Sequence, residues 1–396
     1  MVHGPRIAVI GAGIGGLTLA LALRRHGIDC DIYEQTEELR EVGAAVALSA
    51  NSTRFFEGPL GLGAQLSAVW AEIPELVFRD GRTGTVLGRH YGRDSYRRRY
   101  GAPYAGIHRA DLQAVLSGAV GPERIHLSRR LVGIDDTGPE ALLTFANGST
   151  AAADLVIGAD GARSVVRRLL LGYDDALYSG CSGFRGIVGP EHLASLPDPA
   201  AIQFWTAPGG HLLHYPIGSG AHNFLLVERG PAPWPHAAWT APATSAERMA
   251  RFADWHPAVV EMVTATPVGD RWALFHRPPL GSWNRGRITL LGDAAHALVP
   301  HHGQGANQSI EDAIVLADRL ARCSDLDDAR REYEDARRDR TRRVQFASIT
   351  TADVLHLPDE SPLLPARNAR LASAGLPERH LDWIHGFAAD HASVGA

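Results

Sequence analysis

Few stretches restrict a fold as tightly as residues 6–16, RIAVIGAGIGG. The apolar run RIAVI reads as a buried strand. Gly11, Gly13 and Gly16 follow it in G-x-G-x-x-G order, and residues 17–26 continue in Leu and Ala at helical spacing until Gly27. Residues 29–33 read as a second strand, with Glu34 at its end. Gly11 serves the tight turn, Gly13 lets backbone approach a pyrophosphate, and Gly16 lets helix and strand pack closely. Glu34 stands where an acidic side chain accepts the hydroxyls of an adenosine ribose. A strand, turn, helix and strand of this kind imply a Rossmann-like α/β sheet with a dinucleotide site. The motif alone leaves FAD and NAD as equal alternatives.

Residues 287–313, RITLLGDAAHALVPHHGQGANQSIEDA, form a second strand–loop–helix unit. Residues 288–291 are a strand, Gly292 allows a turn, and Asp293 follows at the strand's carboxyl end, where open α/β sheets bind ligands. Pro300 stops regular structure and is followed by His301 and His302. Gly305, Ala306 and Asn307 then begin an amphipathic helix, whose backbone N–H groups and dipole favour negative charge. A third unit runs from the apolar residues 154–157 through Gly158, Asp160 and Gly161 into residues 165–171. Asp160 reads equally as a ligand group and as a helix cap. Arg109 opens another helix, where a cation opposes the dipole; a cofactor phosphate or ring edge explains it, and so does a surface ion pair.

Between these units the chain changes character. Residues 42–51 are small and apolar, and 52–70 read as a short helical region broken by Gly58, Pro59 and Gly61. Residues 76–79 and 85–87 are strands around a turn at Asp80 and Gly81, and 88–103 is an arginine- and tyrosine-rich surface connection. Residues 125–157 alternate as short strands. From 175 to 275 prolines, tryptophans and short β-like runs dominate, including 183–188, 202–205, 211–216 and 223–227, and 248–262 is a helix interrupted at Pro257. The expected division is therefore discontinuous. Residues 1–75, 104–174 and 276–396 make a dinucleotide-binding unit with C-terminal helices. Residues 76–103 and 175–275 make a mostly antiparallel β-sheet unit that walls a ligand cleft.

Composition excludes several classes. The 396 residues are 45% hydrophobic and 21% charged, with net charge −5, ordinary for a globular chain and unsuited to nucleic-acid or anionic-membrane partners. The arginines at 337–343 are interleaved with acids and read as a solvated helix face. Cys30, Cys181 and Cys323 are far apart, without metal-ligand spacing or a disulfide framework, which fits a reducing cytoplasm. A monomer or homodimer acting on a small molecule is expected.

Together GAGIGG with Glu34, GADGARSVVR at 158–167 and GDAAHALVPHHGQGANQSIEDA at 292–313 resemble the three signatures of single-component FAD-dependent aromatic hydroxylases. The fold implied is that of para-hydroxybenzoate hydroxylase. The resemblance implies that Gly11, Gly13, Gly15 and Gly16 hold the pyrophosphate, Glu34 and Gln35 the adenosine end, and that Leu131 or Val132 borders the adenine. It places Arg109, Asp160 and Asp293 against the cofactor, and Gly305, Ala306 and Asn307 against the flavin ring. NADH or NADPH visits transiently, in line with the lack of a second G-x-G-x-x-G. The reaction implied is hydroxylation of a phenolic or hydroxy-heteroaromatic acid by O2 through a C4a-hydroperoxyflavin, with or without decarboxylation.

Within the family the chain resembles salicylate hydroxylases and 6-hydroxynicotinate 3-monooxygenases, through RDGRTGTVLGR at 79–89, RRYGAPYAGIHRADL at 98–112 and HLLHYPIG at 211–218. That subgroup implies substrate contacts at Ala47, Ile202, His211, Tyr215, Pro300, His301 and His302. Ala47 replaces its catalytic histidine and Ile202 its cysteine. Strand alternation puts His211 and Tyr215 on one side with Leu213 between them, and His214 on the other. Tyr215, with His211 or His301, is the expected relay for ionising a phenol. His296 reads as a packed structural histidine, and Arg185 as a carboxylate ligand or an ion pair. The alternatives to a hydroxylase are a flavin epoxidase or reductase acting on a non-aromatic substrate, and a flavin-bound interaction protein without turnover.

Overall fold

A computed structural model of the chain describes residues 4–39, 45–92, 94–172, 175–267 and 269–389; positions 42–44 of the small apolar stretch and the last seven residues lie outside these. The first sheet has six strands in the order Asn284–Arg285, Ile288–Leu290, Leu155–Gly158, Ile7–Ile10, Cys30–Tyr33, Ile125–His126. All neighbours are parallel except the first pair. Its central strands are buried on both faces, as expected where helices cover a parallel sheet. The helices Ile14–Arg25 and Gly305–Arg322 pack at Gly15, where an added Cβ would come 2.7 Å from Leu291 Cδ2 and 3.2 Å from Ser309 Cβ.

The second sheet has eight strands in the order Thr240–Ala241, Arg271–His276, Leu177–Val188, His222–Arg229, Gly210–Pro216, Ile202–Ala207, Glu75–Asp80, Val86–Tyr91. Only Ile202–Ala207 and Glu75–Asp80 run parallel, so the sheet is mostly antiparallel, as expected. A three-stranded sheet of Ala45–Leu48, Ala105–His108 and Trp70–Glu72 reaches it. The contact is at Gly106, where a Cβ would sit 2.1 Å from Pro216 O and 2.8 Å from Tyr215 Cδ2. Backbone of one sheet thus touches backbone of the other, which any side chain at 106 would prevent.

Three expectations from sequence need correction. Residues 88–103 are not a surface connection: the strand runs on to Tyr91, and the helix Ser95–Tyr100 buries Tyr96 and Tyr100. The arginines turn outward there, Arg97 to Glu57 and Glu72, Arg99 to Asp382. The tyrosine rings turn inward and pack around His385. Second, Pro257 does not interrupt a helix but starts one, Pro257–Ala265, since proline suits a first turn whose N–H has no partner. The helix before it, Ser245–Met249, is separate and has a Thr244–Glu247 capping box.

Third, the arginine-rich face of the long helix Leu326–Leu355 is partly buried. Arg337 is wholly enclosed, donates to Asp312 at 2.7 Å and pairs with Glu311. Arg340 donates to Glu311 at 2.7 Å and to the carbonyls of Trp383 and Ile384. Asp312 also accepts from His296 at 2.6 Å and from the Gly292 N–H at 2.9 Å. Sequence spacing marks which residues share a helix face, but it does not say whether another helix covers that face.

Candidate active site

The two sheets and the loops at 298–306 enclose a cavity of about 390 Å³. One end is made almost entirely of backbone. Gly11 has φ +108°, and a Cβ there would lie 2.6 Å from Ala159 O; at Gly16 it would lie 2.1 Å from Gly11 O. At Gly13 a Cβ would meet nothing within 4 Å, so this glycine faces open space at the start of a helix that has no side-chain cap. The uncapped N–H groups and the dipole make that space an anion site. Gly13, Gly15, Arg109, Asp293, Gly305 and Ala306 line the cavity. The residues present therefore fit a dinucleotide diphosphate.

The acidic groups differ from one another. Glu34 accepts the N–H of Ala12 at 2.8 Å and of Thr36 at 3.0 Å, fastening the glycine loop to the second strand. Asp293 follows Gly292 at the end of its strand and lines the cavity. Burial pushes its carboxyl up from the usual range, against the pull of His296 and Arg109. Asp160 does not line this cavity. Its carboxylate accepts from Ser164 Oγ at 2.5 Å and from the N–H of Val165 at 2.7 Å and Val166 at 3.1 Å, so it caps the helix Val165–Leu171. Asn307 is fully buried and ties elements together: it accepts from Ser49 N and donates to Ala47 O and Gly303 O. Leu131 belongs to the core, Val132 and Gln35 are exposed, and none of the three lines the cavity.

The other end of the cavity is built of side chains. Leu213 and Tyr215 project into it from Gly210–Pro216, beside their partners Leu225 and Asn223 on the next strand. Ala47, Ile202, Phe204, Pro300 and His302 line it too. His302 bonds to Thr351 Oγ1 through Nε2, and burial pulls its pKa down to about 4, so the ring is neutral at pH 7. Burial pushes the Tyr215 phenol well above its ordinary range, while the positive charge of Arg109 pulls the other way.

Two histidines expected here lie elsewhere. His211 and His301 are buried but do not line the cavity. The His211 Nδ1 atom meets His356 Nε2 at 2.7 Å, and the His301 ring stands edge-on to it at 5.3 Å. Alternation did put His211 on the side of Tyr215, but four residues of strand separate them by roughly 13 Å. At that distance His211 lies behind Phe204 rather than in the cavity.

Sequence reasoning missed Tyr104. It lines the cavity, stacks on Tyr96 at 5.3 Å and 20°, and its charge state couples to that of Tyr215. Tyr96 is itself pinned by the Ala50 N–H and His385 Nδ1. Burial holds the Tyr104 phenol above its ordinary range as well. The signal was an aromatic followed by small residues, YAG, just before a strand.

The model of the FAD binding domain family matches residues 6–347. The chain belongs to that family. A 3-amino-4-hydroxybenzoate 2-monooxygenase of Streptomyces platensis is 40% identical over 397 residues, covering 99% of this chain and 98% of the relative. A 6-hydroxynicotinate 3-monooxygenase of Bordetella bronchiseptica is 35% identical, covering 87% and 90%. Among solved structures, a salicylate hydroxylase substrate complex superposes with TM-score 0.82 at 28% identity, covering 99% and 98%. The HpxO protein of Klebsiella pneumoniae, solved with FAD and uric acid, superposes with TM-score 0.85 at 28% identity, covering 96% of each chain. The protein is thus an FAD-dependent monooxygenase of the single-component aromatic hydroxylase group. Its fold is the mixed α/β one shared with those structures. No helix among the described residues is long and apolar enough to cross a membrane.

Proposed function

We propose that this enzyme hydroxylates a 4-hydroxybenzoic acid carrying a small ortho substituent such as an amino group, with NADH or NADPH as reductant. The observation that carries this is a single cavity joining the glycine-lined end to two protonated phenols, Tyr104 and Tyr215, with no imidazole at Ala47. Relatives 40% and 37% identical, with at least 95% of each chain covered, are named as 3-amino-4-hydroxybenzoate 2-monooxygenases, which supports the choice of acid. FAD, held by Gly11, Gly13, Gly16, Glu34 and Asp293, supplies the reduction of O2 at the expense of NAD(P)H. One oxygen atom enters the ring and the other leaves as water.

The protein's own part is to hold the ring electron-rich as the phenolate, while the amino group activates the carbon between itself and the carboxylate, the 2-position named for the relatives, which is ortho to the amino group and meta to the phenolate. A buried phenol does not act as a base at pH 7, and neither does an imidazole titrating near 4. In this reading Tyr104 and Tyr215 donate hydrogen bonds to the substrate oxyanion and Arg109 adds positive charge. That preorganised arrangement is worth most where water is excluded. Ile202, Phe204 and Leu213 exclude water around the ring, and Arg185 or Asn223 receives the carboxylate. The same reading assigns residues 1–75, 104–174 and 276–396 to cofactor binding and 76–103 with 175–275 to the substrate. It takes the protein as cytoplasmic, monomeric or homodimeric.

The test is NAD(P)H oxidation screened over phenolic and heteroaromatic acids, with hydroxylated product and hydrogen peroxide both measured. The expected result is product matching NAD(P)H consumed for 3-amino-4-hydroxybenzoate or a close analogue. Oxidation that yields only peroxide with every acid would overturn the reading.

A further inference from the structure

A hydroxyl on a distant helix decides which nitrogen of His302 carries its proton. Thr351 lies on the helix Leu326–Leu355, with Oγ1 2.8 Å from Ala347 O and 2.7 Å from His302 Nε2. A hydroxyl has one proton to give, and a carbonyl only accepts. If the Thr351 proton went to Nε2, the contact with Ala347 O would hold no hydrogen. Both contacts are satisfied only when Thr351 donates to Ala347 O and accepts from Nε2–H. The ring is neutral at pH 7, since burial pulls its pKa down to about 4, so Nδ1 is left as a bare lone pair. Nδ1 has no protein partner among the described residues. Both nitrogens of His301 are sealed in protein, whereas Nδ1 of His302 is not, and His302 lines the cavity.

We propose that Thr351 locks His302 as the Nε2–H tautomer, so that Nδ1 accepts a hydrogen bond from the substituent beside the substrate's phenol and selects an amino group there. The inference rests on the hydroxybenzoate reading of the cavity and narrows it to acids whose ortho substituent is a hydrogen-bond donor. Tyr104, Tyr215 and Asn223 also line this end, but each can donate and accept, so each adapts to either kind of group. His302 cannot, because its one N–H is spent on Thr351. An acceptor suits the chemistry as well. An amino group that donates N–H keeps its own lone pair conjugated with the ring, and that lone pair activates the carbon beside it. A donor in the same place would tie the lone pair up. The position fits too. His302 ends the turn Pro300–His302, and Gly303, Gly305 and Ala306 carry the wall on to the glycine-lined end. An amino group held at His302 turns its neighbouring ring carbon toward that end. Thr351 is thus a positioning residue, and His302 the group that touches the substrate.

The test uses the FAD-saturated enzyme and the variants His302→Leu, Thr351→Val and Thr351→Ser, with flavin content confirming that each folds. Titrations followed by flavin absorbance give the Kd of 3-amino-4-hydroxybenzoate, 4-hydroxy-3-methylbenzoate and 4-hydroxybenzoate. Wild type should bind the amino compound about tenfold more tightly than the methyl compound. His302→Leu should abolish that ratio. Thr351→Val, of the same size without the hydroxyl, should shrink it, and Thr351→Ser should restore it. Nitrogen NMR of the His302 ring, recognised by its loss in His302→Leu, should show the proton on Nε2 in wild type and on both nitrogens in turn in Thr351→Val. A wild-type ratio near one, or a ratio unchanged in His302→Leu or Thr351→Val, would overturn the proposal and leave the hydroxybenzoate reading standing. Equal weakening of all three acids in His302→Leu would do the same, because His302 would then hold a group common to them. If none of the three acids binds to wild type, the hydroxybenzoate reading itself fails, and this inference with it.

Discussion

The two ends of the cavity are built on different principles. At the glycine-lined end the wall is backbone: Gly13 opens onto the cavity at an uncapped helix start, and Gly11 and Gly16 let the loop pack against Ala159 O and Gly11 O with no room for a side chain. At the other end the wall is made of side chains, including Tyr104, Tyr215 and His302, delivered from separate elements across a sheet-to-sheet contact. A backbone site is specified by a dozen neighbouring residues. A side-chain site depends on where each distant element comes to rest. The first should therefore fail as a unit when one glycine is filled, and the second should lose function one group at a time.

The largest effect is expected at Gly16. Gly16→Val would force a side chain into the 2.1 Å gap to Gly11 O, which only backbone movement can relieve. The variant should be isolated without FAD, as read from the ratio of flavin to protein absorbance. A fully loaded Gly16→Val protein would mean that the glycine loop is not the cofactor's seat.

An intermediate effect is expected at the other end. Tyr215→Phe keeps the ring against Gly106 and removes one donor, so FAD should remain while hydroxylation falls about 10²-fold. Hydrogen peroxide released per NAD(P)H should rise. His301→Phe should leave product per NAD(P)H unchanged, because His301 lies outside the cavity. If His301→Phe uncouples and Tyr215→Phe does not, the substrate end has been assigned to the wrong groups.

The smallest effect concerns acid stability. Burial pulls His301, His356 and His385 down to about 3 in the fold, against an ordinary 6.5. The unfolded chain therefore binds protons first as pH falls. The stability these rings contribute is complete above about pH 6.5 and is lost between there and about 3. Denaturant midpoints should drop from pH 7 to pH 5, and drop less in His301→Phe. An equal drop in both proteins would remove His301 from the cause.

The difference between the two ends also explains what was legible beforehand. Gly11, Gly13, Gly16, Asp293, Gly305 and Ala306 all line the cavity or shape the loop that does, and all were read from motifs of consecutive residues. Tyr215, Ala47, Ile202, Pro300 and His302 also line it, although their roles came from resemblance rather than from spacing. His211 falls outside the cavity because alternation reports the side of a strand and not the distance along it, and His301 because in the turn Pro300–His302 it is His302 that faces the cavity. In sequence Asp160 fits a ligand group and a helix cap alike, and its three hydrogen bonds to the next helix show the cap.

By itself the sequence determined the parallel sheet, the glycine turn and the mostly antiparallel insertion, since these follow from hydrophobic period and from residues that only certain backbone angles require. Tertiary structure alone decided that Arg337 would be buried between Glu311 and Asp312, and that Tyr104 would stand beside Tyr215. It also decided that three histidines would pack behind the cavity rather than in it. Each of these depends on contact between residues far apart in the chain. Local pattern carries no record of which faces meet, because the same amphipathic stripe or polar tip serves equally well against water or against another element.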